Sequence, residues 1–519
     1  KFEEHVLDAT RAWHFHTEDA SRLAGLPDSL LRLAAQNAEQ AGRKGWQLTL
    51  DIPCYLPAMM YADDRALREE LYRAYSTRAS DQGPNAGRFD NGPLIDEILG
   101  LRHELARLVG FANFADYSLA TKMAPSAAGV MSFLRDLAVR SRPHAERELA
   151  DVARHAREVL GIDNLEAWDV AYASEKLRQA AYDISQETLR PYFPAPRVVE
   201  GLFAVVQRLF GLDIVRVDGV DTWHADVQVF RIADARGHLR GIFYLDLYAR
   251  PGKRGGAWMD ECVVRRRHAQ GLQYPVAYLT CNFTPPVGAR PSLLTHEEVI
   301  TLFHEFGHGL HHMLTLVDEA PVSGINGVAW DAVELPSQFL ENWCWEREAI
   351  ELLSGHYETG AVLPEALFER MLAAKGFQAG MKMLRQVEFA LFDFRLHVEY
   401  TPELRVQEVL DDVRREVAVL QPPAWNRFQH SFSHIFGGGY AAGYYSYKWA
   451  EVLSADAFAA FEEAGAAGGT LVDRAMGERF MQEILATGGT RPAIESFRAF
   501  RGREPTIDAL LRHHGMVPA

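Results

Sequence analysis

Five residues, His304-Glu305-Phe306-Gly307-His308, constrain this chain more than any other feature. Histidines four apart reach a common point when the backbone between them is helical, because one turn then sets both on the same face. On such a helix both imidazoles can bind one metal ion, and the glutamate after the first histidine can act on a water beside it. The flanking residues agree. Thr295-x-x-Glu298 is a capping-box pattern that starts a helix. Val299, Phe303, Phe306 and Leu310 recur at helical spacing and supply a buried stripe. Two ordinary helix histidines would give the same letters, but only on the order of one chain in a hundred of this length carries them by chance.

A catalytic zinc site needs a third protein ligand and one open position. A histidine six residues after His308 would complete the longer H-E-x-x-H-x-x-G-x-x-H pattern, but that position is Leu314. A glutamate on a following helix is the other common solution. Glu334, in the run Asp331–Trp343, is the candidate, and Gln338 and Glu341 follow it at helical spacing, where they could orient the ligands. His311 is the rival third ligand; sharing the first helix, it would have to bend back toward His304 and His308. Glu334 is preferred.

Composition narrows the class. Lys and Arg total 54 against 70 Asp and Glu, a net charge of −16, which argues against a nucleic-acid partner. No apolar run approaches membrane-spanning length and no secretory signal is evident. Cys54, Cys262, Cys281 and Cys344 lack paired spacing and read as buried, reduced thiols, which points to a cytoplasmic protein.

The chain is expected to be mainly α. Residues 1–211 read as a helical lobe, with examples at Asp64–Ala79, Leu94–Val109 and Ser126–Leu160, the last broken at Pro143. Phe2, Val6, Ala9 and Trp13 already follow helical spacing, so the chain is expected to begin inside a helix. Residues 212–519 read as a catalytic region. Its first part, 212–284, alternates as a small sheet, with strands at 227–232, 241–247 and 274–283. An edge strand there could hold an extended peptide by main-chain hydrogen bonds. The loop Pro251–Gly256 lacks the spacing of a phosphate-binding loop, and Arg265-Arg266-Arg267 reads as solvent-facing. The metal-carrying helices span 295–353, the second from about residue 331, and helices resume from 364 to 519.

One later stretch stands apart. Three glycines, Gly437–Gly439, separate His434 from Tyr440, and Tyr444 and Tyr447 follow on one helical face. Three phenols and a histidine on a flexible segment suit an oxyanion-stabilising set that moves onto bound peptide; a tyrosine-rich packing face would look the same.

Three runs now stand together: His304–His312 (HEFGHGLHH), VELPSQFLENW from Val333, and FSHIFGGGYAAGYYSYKW from Phe432. They resemble the oligopeptidase A and thimet oligopeptidase family of zinc peptidases, nearest its bacterial oligopeptidase A branch. The resemblance implies two mostly helical lobes around a deep channel, a further N-terminal portion upstream of Lys1, and short unstructured peptides as substrates. It implies one Zn²⁺ per chain on His304, His308 and Glu334, with Glu305 as general base. It also matches His434, Tyr440, Tyr444 and Tyr447 to the substrate-contacting positions, with Tyr447 and Tyr440 on the scissile carbonyl and Tyr444 binding substrate. A monomer is expected. The rival within the family is a dipeptidyl carboxypeptidase, which needs a cation for the terminal carboxylate. The rival outside it is a non-catalytic peptide-binding metalloprotein, against which Glu305 argues, since a structural site needs no base.

Overall fold

The computed structural model describes residues 1–466 and 468–516. Helices dominate, as the periodicity predicts: Phe2–Arg11, Arg65–Ser76, Gly92–Leu108, Ala127–Leu160 and Ala195–Phe210 in the first part of the chain. The long helix Ala127–Leu160 is not broken at Pro143. Proline there leaves the Val139 carbonyl without its helical donor. Val139 is exposed, so water can take that bond and the helix continues. A short antiparallel pair, His14–Thr17 with Trp46–Thr49, interrupts the region read as helix throughout. Four residues per strand are too few to register as an alternating pattern.

The three expected strands are Gln228–Ala233, Leu239–Tyr248 and Val276–Phe283. Asp213–Arg216 pairs with the first of them, and Trp258–Val263 pairs with the last and forms the other edge of a five-stranded sheet. Pairing is antiparallel except between Leu239–Tyr248 and Val276–Phe283, where Tyr244 lies beside Tyr278 in a parallel register. The edge strand Trp258–Val263 packs against the helix His296–Met313. Two readings of this region change. Arg265 is buried rather than solvent-facing, because its guanidinium meets Asp318 at 2.9 Å; the exposed Arg267 shares that carboxylate at 2.8 Å. Cys262 is exposed, while Cys54, Cys281 and Cys344 are buried as expected.

Residues 331–353 are not one helix. A 3₁₀ turn, Trp330–Ala332, leads through Glu334 into the short helix Leu335–Glu341; a second 3₁₀ turn, Asn342–Trp345, precedes the helix Arg347–Leu353. Pro336 explains the start, since it has no N–H to give to a preceding turn. Glu346, in extended conformation, explains the later break. Beyond residue 364 helices recur through Asp508–His513, the longest being Ala379–Val398 and Ser446–Ala466. The expectation of helix to the chain end falls partly on residues 467 and 517–519, which lie outside the described residues. No described helix is long and apolar enough to cross a membrane.

The buried cores do not divide at residue 211. One core joins the helix Ala195–Phe210 to the sheet, the helices His296–Met313 and Leu335–Glu341, and residues from Leu453 to Phe500. A second joins Ile95, Leu99 and the helix Ala127–Leu160 to Ala379–Val398, and to Phe432, Ile435, Tyr444 and Tyr445, and two smaller clusters lie within the first part of the chain, the larger from Leu23 to Ala74. Apolar faces pair across long stretches of chain: the 34-residue helix Ala127–Leu160 finds its main partner in the 20-residue helix Ala379–Val398.

Gly307 sets how closely the two metal-site helices approach. A Cβ there would lie 2.5 Å from the Pro336 carbonyl oxygen and 2.5 Å from Ser337 Cα. Alanine normally gains ~1 kcal/mol over glycine inside a helix. Here the clash is against backbone, which cannot rotate away, so Gly307→Ala is expected to unfold at a lower urea concentration than the parent. An unchanged or raised midpoint would show that the helices have room to separate.

Candidate metal centre

The helix His296–Met313 begins with the capping box read from the sequence: Thr295 Oγ1 accepts from the Glu298 N–H at 3.1 Å, and Glu298 Oε2 accepts from the Thr295 N–H at 2.8 Å. Val299, Phe303, Phe306 and Leu310 are fully buried, which turns His304 and His308 to the edge of the core. Their rings stand 5.0 Å apart. Glu334 Oε2 lies 3.1 Å from His304 Nε2 and 3.1 Å from His308 Nε2. Among the described residues, His304, His308 and Glu334 are the group of three or more potential metal ligands whose donor atoms fall within 4.8 Å of one another. Two imidazoles and one carboxylate fit Zn²⁺ with one position left for water or substrate. His311 is not part of that group. It is buried with Nδ1 unpartnered, and desolvation pushes its imidazole down to about 3, so it remains neutral in an apolar environment.

Neighbouring groups orient these ligands. His304 Nδ1–H donates to Glu341 Oε1 at 2.6 Å, which fixes the ring and leaves Nε2 as the metal-facing atom. The Ser337 hydroxyl donates to Glu334 Oε2 at 2.9 Å, and the Tyr440 hydroxyl donates to Glu334 Oε1. Burial alone would raise the Glu334 carboxyl, but His308 and His304 beside it hold it well below the usual range. Gln338, expected to orient ligands, instead donates to the Tyr447 carbonyl at 2.9 Å and so ties the metal-site helix to the tyrosine segment. Glu305 is buried, and its Oε2 has no hydrogen-bond partner. Burial raises its carboxyl, with His304 and His308 opposing in part. A buried, unpartnered carboxylate oxygen beside a metal-binding cluster is suited to take a proton.

The tyrosine segment meets this cluster from the other core. Tyr440 stacks on Tyr447 with ring centroids 4.8 Å apart, and His434 lies 6.1 Å from each. Burial, with the Glu334 charge adding to it, raises both phenols well above their usual range, so both stay protonated donors. His434 keeps substantial accessible surface although protein crowds round it, as a side chain lining a cleft does; that crowding lowers its imidazole pKa. Tyr444 is more deeply placed. Its ring meets Phe389 and Phe432, and its hydroxyl donates to Gln386 Oε1 at 3.2 Å. None of the three glycines between His434 and Tyr440 takes a left-handed backbone, and a Cβ on Gly439 would stand 3.0 Å from the Trp330 ring, so close contact calls for glycine there.

Several contributors carried no motif. Gly307 and Ser337 lie inside recognised runs, but their contacts depend on how two helices cross. Asp331 is fully buried and accepts the Met123 and Ala124 N–H groups at 2.8 and 2.9 Å and the Tyr445 hydroxyl at 2.8 Å. Asp393 is likewise fully buried, amid the apolar run Phe389–Phe394. A lone carboxylate in such a run was the available signal that something pairs with it.

Known proteins resemble this chain in both sequence and fold. The sequence model of peptidase family M3 matches residues 58–516. Oligopeptidase A of Salmonella typhimurium is 57 % identical over 519 residues, which cover 99 % of this chain and 76 % of that protein. Dipeptidyl carboxypeptidase of Escherichia coli is 33 % identical over 523 residues, covering 99 % and 75 %. Among solved structures, PZ peptidase A with an inhibitor shares the fold at a TM-score of 0.57 and 17 % identity, over 94 % of this chain and 73 % of that one. With a family match across nearly its whole length and a histidine–histidine–glutamate cluster at its centre, the chain belongs to peptidase family M3.

Proposed function

We propose that the protein is a zinc-dependent oligopeptidase that hydrolyses internal bonds of short, unstructured peptides. The observation that carries this reading is the convergence of His304, His308 and Glu334, a buried unpartnered Glu305, and a tyrosine pair on one point. Bound by those three residues, one Zn²⁺ per chain would supply Lewis acidity, polarising a carbonyl and acidifying a water. Glu305 accepts a proton from the attacking water and later delivers it to the leaving amine. Tyr447 donates its O–H to the developing tetrahedral oxygen, with Tyr440 beside it. The Tyr440 hydroxyl already serves Glu334, which favours Tyr447 as the first donor. His434 lines the same cleft and orients the peptide; Tyr444 packs against His434 and Tyr447 and contacts substrate less directly. The edge strand Trp258–Val263, beside the metal helix, offers main-chain groups to an extended peptide. The helical lobe 1–211 and the catalytic region 212–519 share buried cores, which supports reading them as the two sides of one cleft. The protein is read as cytoplasmic and monomeric.

The second reading, release of C-terminal dipeptides, rests on the 33 % identity to a dipeptidyl carboxypeptidase, against 57 % to an oligopeptidase A.

Glu305→Gln should keep its metal, measured by elemental analysis, and lose nearly all turnover; substantial residual activity would remove Glu305 from the base role. Tyr447→Phe should lower kcat on the order of 10²–10³-fold, and an unchanged kcat would move the oxyanion role to Tyr440. A short internally quenched peptide should be cleaved with or without a C-terminal amide, a folded protein should not, and a chelator should abolish cleavage. Loss of activity on the amidated peptide would favour the dipeptidyl reading.

A further inference from the structure

The tyrosine segment turns at Ala442, whose φ of 46° puts a non-glycine residue in the left-handed region. Such a conformation costs on the order of 1–3 kcal/mol and persists where the surroundings impose it. Here the surroundings are specific. Asp393, on the helix Ala379–Val398, accepts three consecutive backbone N–H groups: Ala442 on Oδ1 at 2.8 Å, and Gly443 and Tyr444 on Oδ2, each at 2.9 Å. Consecutive N–H groups that converge in this way form an anion-binding concavity. In this protein the anion is a side chain of its own. The carbonyl side of the turn is held too, since Ser118 Oγ donates to the Ala442 carbonyl at 3.1 Å. Lys122 Nζ donates in turn to Ser118 Oγ at 2.6 Å. Asp393 is fixed at its own end: His397 Nδ1–H donates to the Asp393 carbonyl at 2.8 Å, and Arg102 approaches His397 Nε2 at 3.2 Å, which sets that tautomer.

The turn lies between the two phenols of the site. Tyr440 is two residues before Ala442 and Tyr447 five after, and their rings stack at 4.8 Å. A shift at Ala442 therefore changes where both hydroxyls stand relative to Glu334 and the metal ligands. We propose that Asp393 is a positioning residue for the peptidase reaction: its carboxylate holds the Ala442–Tyr444 turn that presents Tyr440 and Tyr447 to the scissile carbonyl. Asp393 touches neither substrate nor metal ligand and acts through the phenols. The inference rests on the oxyanion role given to Tyr447 above. Asparagine at this position keeps the shape but replaces one acceptor oxygen with an amide N–H donor. At least one backbone N–H then faces a donor, and the turn loses its clamp.

The test is a double-mutant comparison of Asp393→Asn, Tyr447→Phe and the two together, with metal content, KM and kcat measured for each, and amide hydrogen exchange measured for Ala442–Tyr444. Asp393→Asn should retain its metal, leave KM within a few-fold, lower kcat about 10²-fold, as misplacement near 1 Å does, and speed exchange at those amides. Combined with Tyr447→Phe it should cost little beyond the worse single variant, because a displaced phenol has little left to lose. Multiplicative losses, or an unimpaired kcat in Asp393→Asn, would overturn the inference. An unchanged kcat in Tyr447→Phe alone would overturn the phenol's role, and this inference with it. If Asp393→Asn does not fold, Ser118→Ala replaces it in the same comparison, with a several-fold loss of kcat expected and an unchanged kcat overturning the proposal.

Discussion

Taking a carboxylate out of water costs several kcal/mol unless every lone pair finds a donor or a cation. Glu334, 1 % exposed, accepts from the Ser337 and Tyr440 hydroxyls and faces the Nε2 atoms of His304 and His308, with which it would share a metal ion; these contacts come from three parts of the chain. His304 and His308 come from one helix, Ser337 from the next turn of its own, and Tyr440 from more than a hundred residues further on. The close crossing at Gly307, the break at Pro336 and the burial of the Phe303–Phe306 face can all be understood as what brings those donors within reach.

The two halves of the site belong to different hydrophobic cores. Ligands and general base rest on the core built with the sheet; the phenols rest on the core built around the helices Ala127–Leu160 and Ala379–Val398. Apolar packing fixes each half internally and, through the helix Ser446–Ala466 that enters both cores, holds them side by side, which leaves the alignment at the site to finer contacts. Polar contacts set that relation: Gln338 to the Tyr447 carbonyl, Tyr440 to Glu334, and Asp331 to both Tyr445 and the Met123–Ala124 backbone. Hydrogen bonds are directional where apolar contacts are not, so they suit the task of alignment.

How much of this was legible before the structure follows the range of each interaction. The capping box at Thr295, the helical stripe beside His304 and the three inner strands are local patterns, and all formed as read. The convergence of Glu334 with the histidines was legible because its run carried a recognisable pattern. What the sequence left open was long-range. The strand Trp258–Val263 depends on a partner further along the chain, Arg265 on Asp318, and the segmentation of 331–353 on tertiary packing around Pro336. Gly437–Gly439 show the same limit: glycine marks freedom and close contact alike, and the contact of Gly439 with the Trp330 ring could not be read from the sequence.

The edge strand also carries a chemical asymmetry. Three of the four cysteines are shut inside the cores, whereas Cys262 is exposed on the strand that borders the metal helix. Thiol chemistry from solution is therefore directed to one address, on the edge of the sheet. A fluorophore or spin label attached there would mark one known position on the sheet, without a substitution in the catalytic machinery itself.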